Sequence, residues 1–208
     1  MNRRLAVLIS GRGSNLQSII DAIARAELDA TIAVVVSNRA DAGGLLRARD
    51  AGIDTLVLGT RDYGSRDAYD QALADALLSR DVGLVCLAGF MRLVGAPLLR
   101  AFPDAVLNIH PSLLPAFPGL EAQRQAIEHG VRVSGATVHL VTAELDGGPI
   151  ILQSAVPVFD GDTPDTLAAR ILIQEHRIYP EAIRIVLNGK WKLAGRRFVF
   201  NPSESTTV

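Results

Sequence analysis

Asn108-Ile109-His110 puts two side chains of catalytic type two residues apart. The segment closes an apolar run, residues 105–108, that reads as a short strand. In an extended chain residues i and i+2 point the same way, so Asn108 and His110 face one ligand. An amide donor and a protonated imidazole together suit the oxygen of a tetrahedral acyl intermediate. Asp146 stands 36 residues further on, directly before Gly147-Gly148. A carboxylate beside His110 would favour the imidazolium form and help relay protons. The plainer alternatives are a hydrogen-bonded loop histidine and a turn aspartate. Ser112 follows closely, but no Gly-x-Ser-x-Gly elbow surrounds it and no Ser-His-Asp arrangement follows from the sequence. His139 falls inside a strand and reads as a packed group or one standing behind the site. His129 ends a helix, where a cation suits the dipole, and His176 on a long helix reads as helix packing. His110, His139 and Asp146 match no familiar metal-ligand spacing, so no metal is expected.

A second constellation is Gly11-Arg12-Gly13-Ser14-Asn15, between an apolar strand and a helix. There the first N–H groups of the helix are unpaired and its dipole is positive. Glycines let the backbone approach an anion, and Ser14 and Asn15 add donors. The alternative is a tight turn with Ser14 or Asn15 as an N-cap. The dinucleotide fingerprint needs a third glycine where Leu16 stands, and the second strand ends in Ser37-Asn38-Arg39, with no acidic residue there to hold a ribose hydroxyl. No Gly-Lys-Ser/Thr is present either. The loop therefore fits a phosphomonoester on a small substrate.

These residues need a scaffold, and hydrophobic periodicity supplies one. Residues 5–9 form a continuous apolar run, as in a parallel strand buried on both faces. Strands are expected at 31–36, 55–58 and 83–87. Helices are expected from Leu16, at 43–51 and at 66–78. Strand-helix alternation implies a doubly wound, mostly parallel Rossmann-like α/β sheet. Residues 109–119 carry three prolines and read as a loop; 121–129 reads as a helix. Residues 134–141 and 150–158 read as an antiparallel strand pair. Thr163 caps a helix opening at Pro164 and running to about Leu187. Residues 191–200 read as a hairpin and 202–208 as a frayed tail. One catalytic unit is expected over residues 1–189, with 190–208 a hairpin and tail of the same domain.

Composition narrows the class. The 208 residues are 49% hydrophobic and 21% charged, enough for a core, with a formal net charge of -1. That balance offers no basic footprint for a nucleic acid. Cys86 is the only cysteine, which excludes an internal disulfide and a cysteine-based metal cluster and fits a reducing compartment. The apolar run at residues 5–9 is too short for a signal-peptide core, and residues 82–91 are about half the ~20 needed to span a membrane. A cytoplasmic protein with small-molecule substrates is expected, as monomer or homodimer, with no nucleic-acid or membrane partner.

Five blocks stand in order: residues 9–17 (Ile-Ser-Gly-Arg-Gly-Ser-Asn-Leu-Gln), Ser37-Asn38-Arg39-Ala40, residues 87–92 (Leu-Ala-Gly-Phe-Met-Arg), residues 108–115 (Asn-Ile-His-Pro-Ser-Leu-Leu-Pro) and Asp146-Gly147-Gly148-Pro149-Ile150. The set resembles the folate-dependent formyltransferases over about residues 5–189. The Gly-x-Gly-Ser-Asn loop resembles that of the branch acting on glycinamide ribonucleotide. This resemblance implies formyl transfer from 10-formyltetrahydrofolate, a co-substrate, to the amine of 5′-phosphoribosylglycinamide in purine biosynthesis. By position it implies Asn108, His110 and Asp146 as the catalytic trio. It implies Gly13, Ser14 and Asn15 as phosphate ligands and Glu175 as a contact to the sugar or glycinamide part. Met91, Arg92, Leu93 and Val94 would wall the folate pocket, together with Asn108, and Arg66 would face the folate tail. Ala143 and Glu144, in the loop ending at Asp146, would read the pterin. Glu121 and Gln123 depart from the histidines many relatives carry there.

Three other readings share some of these features. A methionyl-tRNA formyltransferase and a formyltetrahydrofolate hydrolase resemble longer chains, for whose extra domains 208 residues leave no room. A non-catalytic phosphosugar-binding protein would use the glycine loop alone.

Overall fold

The computed structural model describes residues 2–200; the expected tail at 202–208 lies outside the described residues. The β-strands form one nine-stranded sheet. Strand β1 (Arg4–Ile9) lies inside it, third from one edge, with Leu5 to Ile9 fully buried, as the unbroken apolar run requires. It pairs in parallel with β2 (Thr31–Ser37) and β4 (Leu84–Leu87). Strand β3 (Thr55–Val57) continues in parallel beyond β2, and β5 (Val106–His110) beyond β4. The crossover helices are α1 (Ser14–Ala24), α2 (Gly44–Asp50), α3 (Arg66–Leu78) and the short α4 (Ala96–Ala101). After α5 (Ala122–Glu128) the direction reverses. Strand β6 (Val133–Leu140) runs antiparallel to β5, and β7 (Ile150–Pro157) antiparallel to β6. Helix α6 (Pro164–Leu187) then packs on α1, β6 and β7. The closing hairpin, β8 (Trp191–Ala194) and β9 (Arg197–Phe200), extends the sheet through a parallel bridge between Ile150 and Arg197.

Three features differ from the sequence expectation. Ile109 and His110 belong to β5 rather than to the proline loop, because they pair with Val138 and Thr137 of β6. Helix α4 and a 3₁₀ turn at Thr60–Asp62 were not expected, since neither is long enough to display a hydrophobic period. Helix α1 is preceded by Gly13 in the left-handed region, φ 72°, and neither Ser14 nor Asn15 acts as its N-cap.

Helix α6 carries the fold's longest packing face and enters with a reciprocal cap. The Thr163 hydroxyl accepts from the Thr166 N–H, and the Thr166 hydroxyl accepts from the Thr163 N–H. Pro164 occupies the first turn, where no N–H is needed. Removing such a cap costs roughly 0.5–2 kcal/mol. Thr163→Ala is therefore expected to lower the thermal midpoint by about 1–8 °C. Turnover of the folded fraction should not change. At its other end α6 is tied to the sheet centre, where the buried Tyr179 hydroxyl donates to the Leu87 carbonyl at 2.9 Å.

Candidate active site

Parallel strands β1, β4 and β5 end on one edge of the sheet, the edge where ligands of open α/β sheets gather. Both constellations lie at that edge. The glycine loop follows β1, and the Asn108-His110 pair closes β5.

Strand register brings His139 opposite Asn108. The Asn108 side-chain amide lies 3.1 Å from His139 Nε2. His139 Nδ1 lies 2.9 Å from the Leu140 carbonyl, which must accept a proton. In the neutral ring Nε2 is then the acceptor, and the Asn108 amide donates to it. One of the two Asn108 amide hydrogens remains for a ligand. The expectation of His139 as a group behind the site describes this contact.

Asp146 reaches the same point from the loop joining β6 and β7. Its backbone is left-handed, φ 48°, and the adjoining Gly148 leaves no room for a Cβ, which would stand 1.8 Å from the Leu140 carbonyl. The chain therefore turns tightly and aims the carboxylate inward. One Asp146 oxygen lies 3.4 Å from His110 Nδ1 and accepts from the Gly119 N–H at 2.8 Å. The other lies 3.6 Å from His139 Nε2. Burial pushes the Asp146 carboxyl up, but the His139 ring, the Gly119 N–H and the His110 ring together outweigh it, and the group stays below its usual range.

At His110 two effects oppose each other. Asp146 does favour its charged form, but burial is the larger effect and holds the imidazole below its ordinary pKa. The ring is only 5% exposed. Its Nε2 stands 2.8 Å from the Phe117 carbonyl and donates there, and its Nδ1 faces the Asp146 carboxylate. An NMR titration should place the His110 midpoint below 6.5. Asp146→Asn should move it lower still, by removing the one nearby negative charge that raises it. An unfolded His110 takes up its proton more readily, so folding stability falls as pH drops through the unfolded value of about 6.5 toward the native one. A midpoint above 6.5 would contradict the burial argument.

Ser112 is fully buried; its hydroxyl donates to the Ala116 carbonyl, and its own carbonyl accepts from Thr137. It shapes the proline loop and bonds to neither His110 nor His139. His129 caps α5 through the Gln125 carbonyl.

At the glycine loop Asn15 is 8% exposed, and its amide donates to Glu175 of α6 at 2.7 Å. Burial raises the Glu175 carboxyl above its usual pKa, with the Asn15 amide acting in the opposite sense. Asn15 Oδ1 has no partner among the described residues. The structure thus joins Asn15 and Glu175, expected separately as phosphate and glycinamide contacts. A cleft of about 420 Å³ opens beside them, lined in part by Ser14, Gln17, Arg47 and His176.

The segment after β4 forms the remaining wall. The Met91 N–H donates to Ser10 Oγ, which ties this segment to the loop after β1. Met91 and Leu93 are exposed apolar side chains, whereas Val94 is buried. The Arg92 guanidinium lies over the Tyr69 ring at 4.4 Å. Asp70 accepts from the Gly95 N–H at 2.7 Å, and Arg66 stands 3.8 Å from the same Asp70 oxygen. Arg66 is therefore brought beside the 91–95 segment. Ala143 and Glu144 are exposed on the Asp146 loop, and Glu144 pairs with Arg196 of the closing hairpin. Glu121 and Gln123 stand at the start of α5, where Glu121 pairs with Arg124 on the surface. Among the described residues no group of three or more His, Cys, Asp or Glu is arranged to hold a metal, and no helix is long and apolar enough to cross a membrane.

The chain as a whole is similar to known proteins. The phosphoribosylglycinamide formyltransferase of Escherichia coli is 49% identical over 189 residues, covering 91% of this chain and 89% of that protein. The human trifunctional purine biosynthetic protein adenosine-3 is 47% identical over 190 residues, 91% of this chain but 19% of its own length. The crystal structure of glycinamide ribonucleotide transformylase 1 from Symbiobacterium toebii superposes with a TM-score of 0.94 at 59% identity, covering 96% of this chain and 94% of that one. The formyl transferase family model matches residues 3–183, which hold the glycine loop, Asn108, His110 and Asp146. With that match spanning the whole edge of the sheet where the polar residues converge, the chain belongs to the formyl transferase family.

Proposed function

We propose that this protein transfers the formyl group of 10-formyltetrahydrofolate to the amine of 5′-phosphoribosylglycinamide, giving 5′-phosphoribosyl-N-formylglycinamide and tetrahydrofolate in de novo purine biosynthesis. The observation that carries the reading is the convergence of Asn108, His110 and Asp146 on the sheet edge that also bears the glycine loop. Likeness to phosphoribosylglycinamide formyltransferases over nine-tenths of the chain supports the choice of substrates.

The amine is already a competent nucleophile, so no covalent enzyme intermediate is needed. Gly13, Ser14 and Asn15 hold the substrate phosphate at the start of α1, and Glu175 contacts the glycinamide or sugar part. Met91 to Val94, Arg66 and the backbone of Ala143 and Glu144 hold the formyl donor. Catalysis rests on placing the two substrates together and on stabilising the oxyanion. Asn108 donates its free amide hydrogen to that oxygen, and the His110 Nε2–H is redirected to it from the Phe117 carbonyl. As the amine attacks, the proton it releases passes through water to His110, whose imidazolium form Asp146 favours. The Asp146–His110 pair then passes a proton between the amine and the leaving nitrogen, through water.

Incubation with 10-formyltetrahydrofolate, with and without the ribonucleotide, tests this. Consumption of the donor only when the amine is present supports transfer. Consumption without the amine would instead indicate a hydrolase, and no consumption a binding protein.

A further inference from the structure

The peptide groups of the glycine loop are oriented from behind by α2. Two of its carbonyls are engaged there. The Gly44 N–H donates to the Gly11 carbonyl at 3.0 Å, and Arg47 Nε donates to the Arg12 carbonyl at 2.9 Å. A trans peptide is planar, with its C=O and the following N–H pointing in opposite directions. Holding the Gly11 carbonyl toward α2 therefore turns the Arg12 N–H away from α2. Holding the Arg12 carbonyl there does the same for the Gly13 N–H. Neither N–H has an acceptor among the described residues.

The loop and α2 are also in close steric contact. A Cβ on Gly13 would lie 2.6 Å from Gly44 Cα. A Cβ on Gly44 would lie 2.5 Å from Ile9 Cδ1 and 3.1 Å from Gly13 Cα. Arg47 spans the junction, since its Nη1 also donates to Gln17 of α1 at 3.2 Å.

We propose that Gly44 and Arg47 are positioning residues for phosphate recognition: α2 pre-orients the Arg12 and Gly13 N–H groups, and Arg47 acts through its bond to the Arg12 carbonyl rather than through its charge. This rests on the glycine loop being the phosphate site of the proposed reaction. Pre-orientation stabilises ground state and transition state alike, so its loss appears in the KM of the phosphorylated substrate and not in kcat.

Arg47→Met and Arg47→Lys separate bond from charge. Lysine keeps the charge, but the atom in the place of Nε is a carbon with no proton to donate. Both variants are expected to raise the KM for the ribonucleotide about tenfold or more, with kcat and the KM for the formyl donor within about twofold. Recovery of the wild-type KM by Arg47→Lys would overturn the positioning role in favour of simple charge attraction. An unchanged KM in Arg47→Met would overturn it outright. A second measurement does not depend on the reaction. Inorganic phosphate titrated into ¹⁵N-labelled wild-type protein should shift the Arg12 and Gly13 amide signals, and the shifts should be weakened in Arg47→Met. Equal shifts at equal phosphate concentrations would overturn the inference. If the wild type fails to transfer formyl at all, the proposed function falls, and the phosphate titration alone decides the role of Arg47.

Discussion

Asn108→Ala is expected to lower kcat about 10²–10³-fold, the equivalent of roughly 2.7–4 kcal/mol for one oxyanion donor, while both KM values stay nearly unchanged. The reason lies in the two hydrogens of the Asn108 amide. One is held by His139, which fixes the side chain from across the β5–β6 ladder. The other faces the place where charge develops only as the carbonyl becomes tetrahedral. Losing it removes an interaction made in the transition state alone. Asn108→Asp should be worse than alanine, because an acceptor then faces the oxyanion. Steady-state kinetics with each substrate varied in turn checks this, and unchanged turnover in Asn108→Ala would remove Asn108 from the chemistry.

Asp146→Asn should cost turnover on the order of 10²–10⁴-fold, the range for a positioned proton-transfer group, with small effects on either KM. The substitution keeps the shape of the side chain and one oxygen to accept the Gly119 N–H. It removes the negative charge facing His110 Nδ1. Burial disfavours the charged form of His110, and in the proposed reaction the Asp146 charge is what favours the imidazolium. A change confined to KM would make Asp146 a binding residue. The two losses should not add in a double variant, because Asn108 and Asp146 meet at His139 and serve one oxygen.

Much of this architecture was readable from the residues. Burial on both faces writes itself as the run Leu5 to Ile9, and the same logic placed β2 and β4. Thr163-Pro164 marks a helix start by chemistry that is entirely local. The two-residue spacing of Asn108 and His110 was informative because a strand does carry it, even though the strand runs two residues further than its apolar content suggested. What escaped notice depends on pairing and burial. His139 meets Asn108 only through the antiparallel register, which no local pattern reveals. The resting charge of His110 depends on how completely the fold excludes water from it. Gly44 and Arg47 looked like ordinary helix residues, because their contact with the glycine loop forms only when α2 docks behind α1.

A single turnover with donor labelled in the formyl group tests formyl transfer most directly. Enzyme in excess over 10-formyltetrahydrofolate, mixed with 5′-phosphoribosylglycinamide, should place the label on the glycinamide nitrogen, with none on the protein at any time. Asp146→Asn should slow that appearance without changing where the label goes. Label released as formate, or trapped on the protein, would contradict direct attack by the amine at this site.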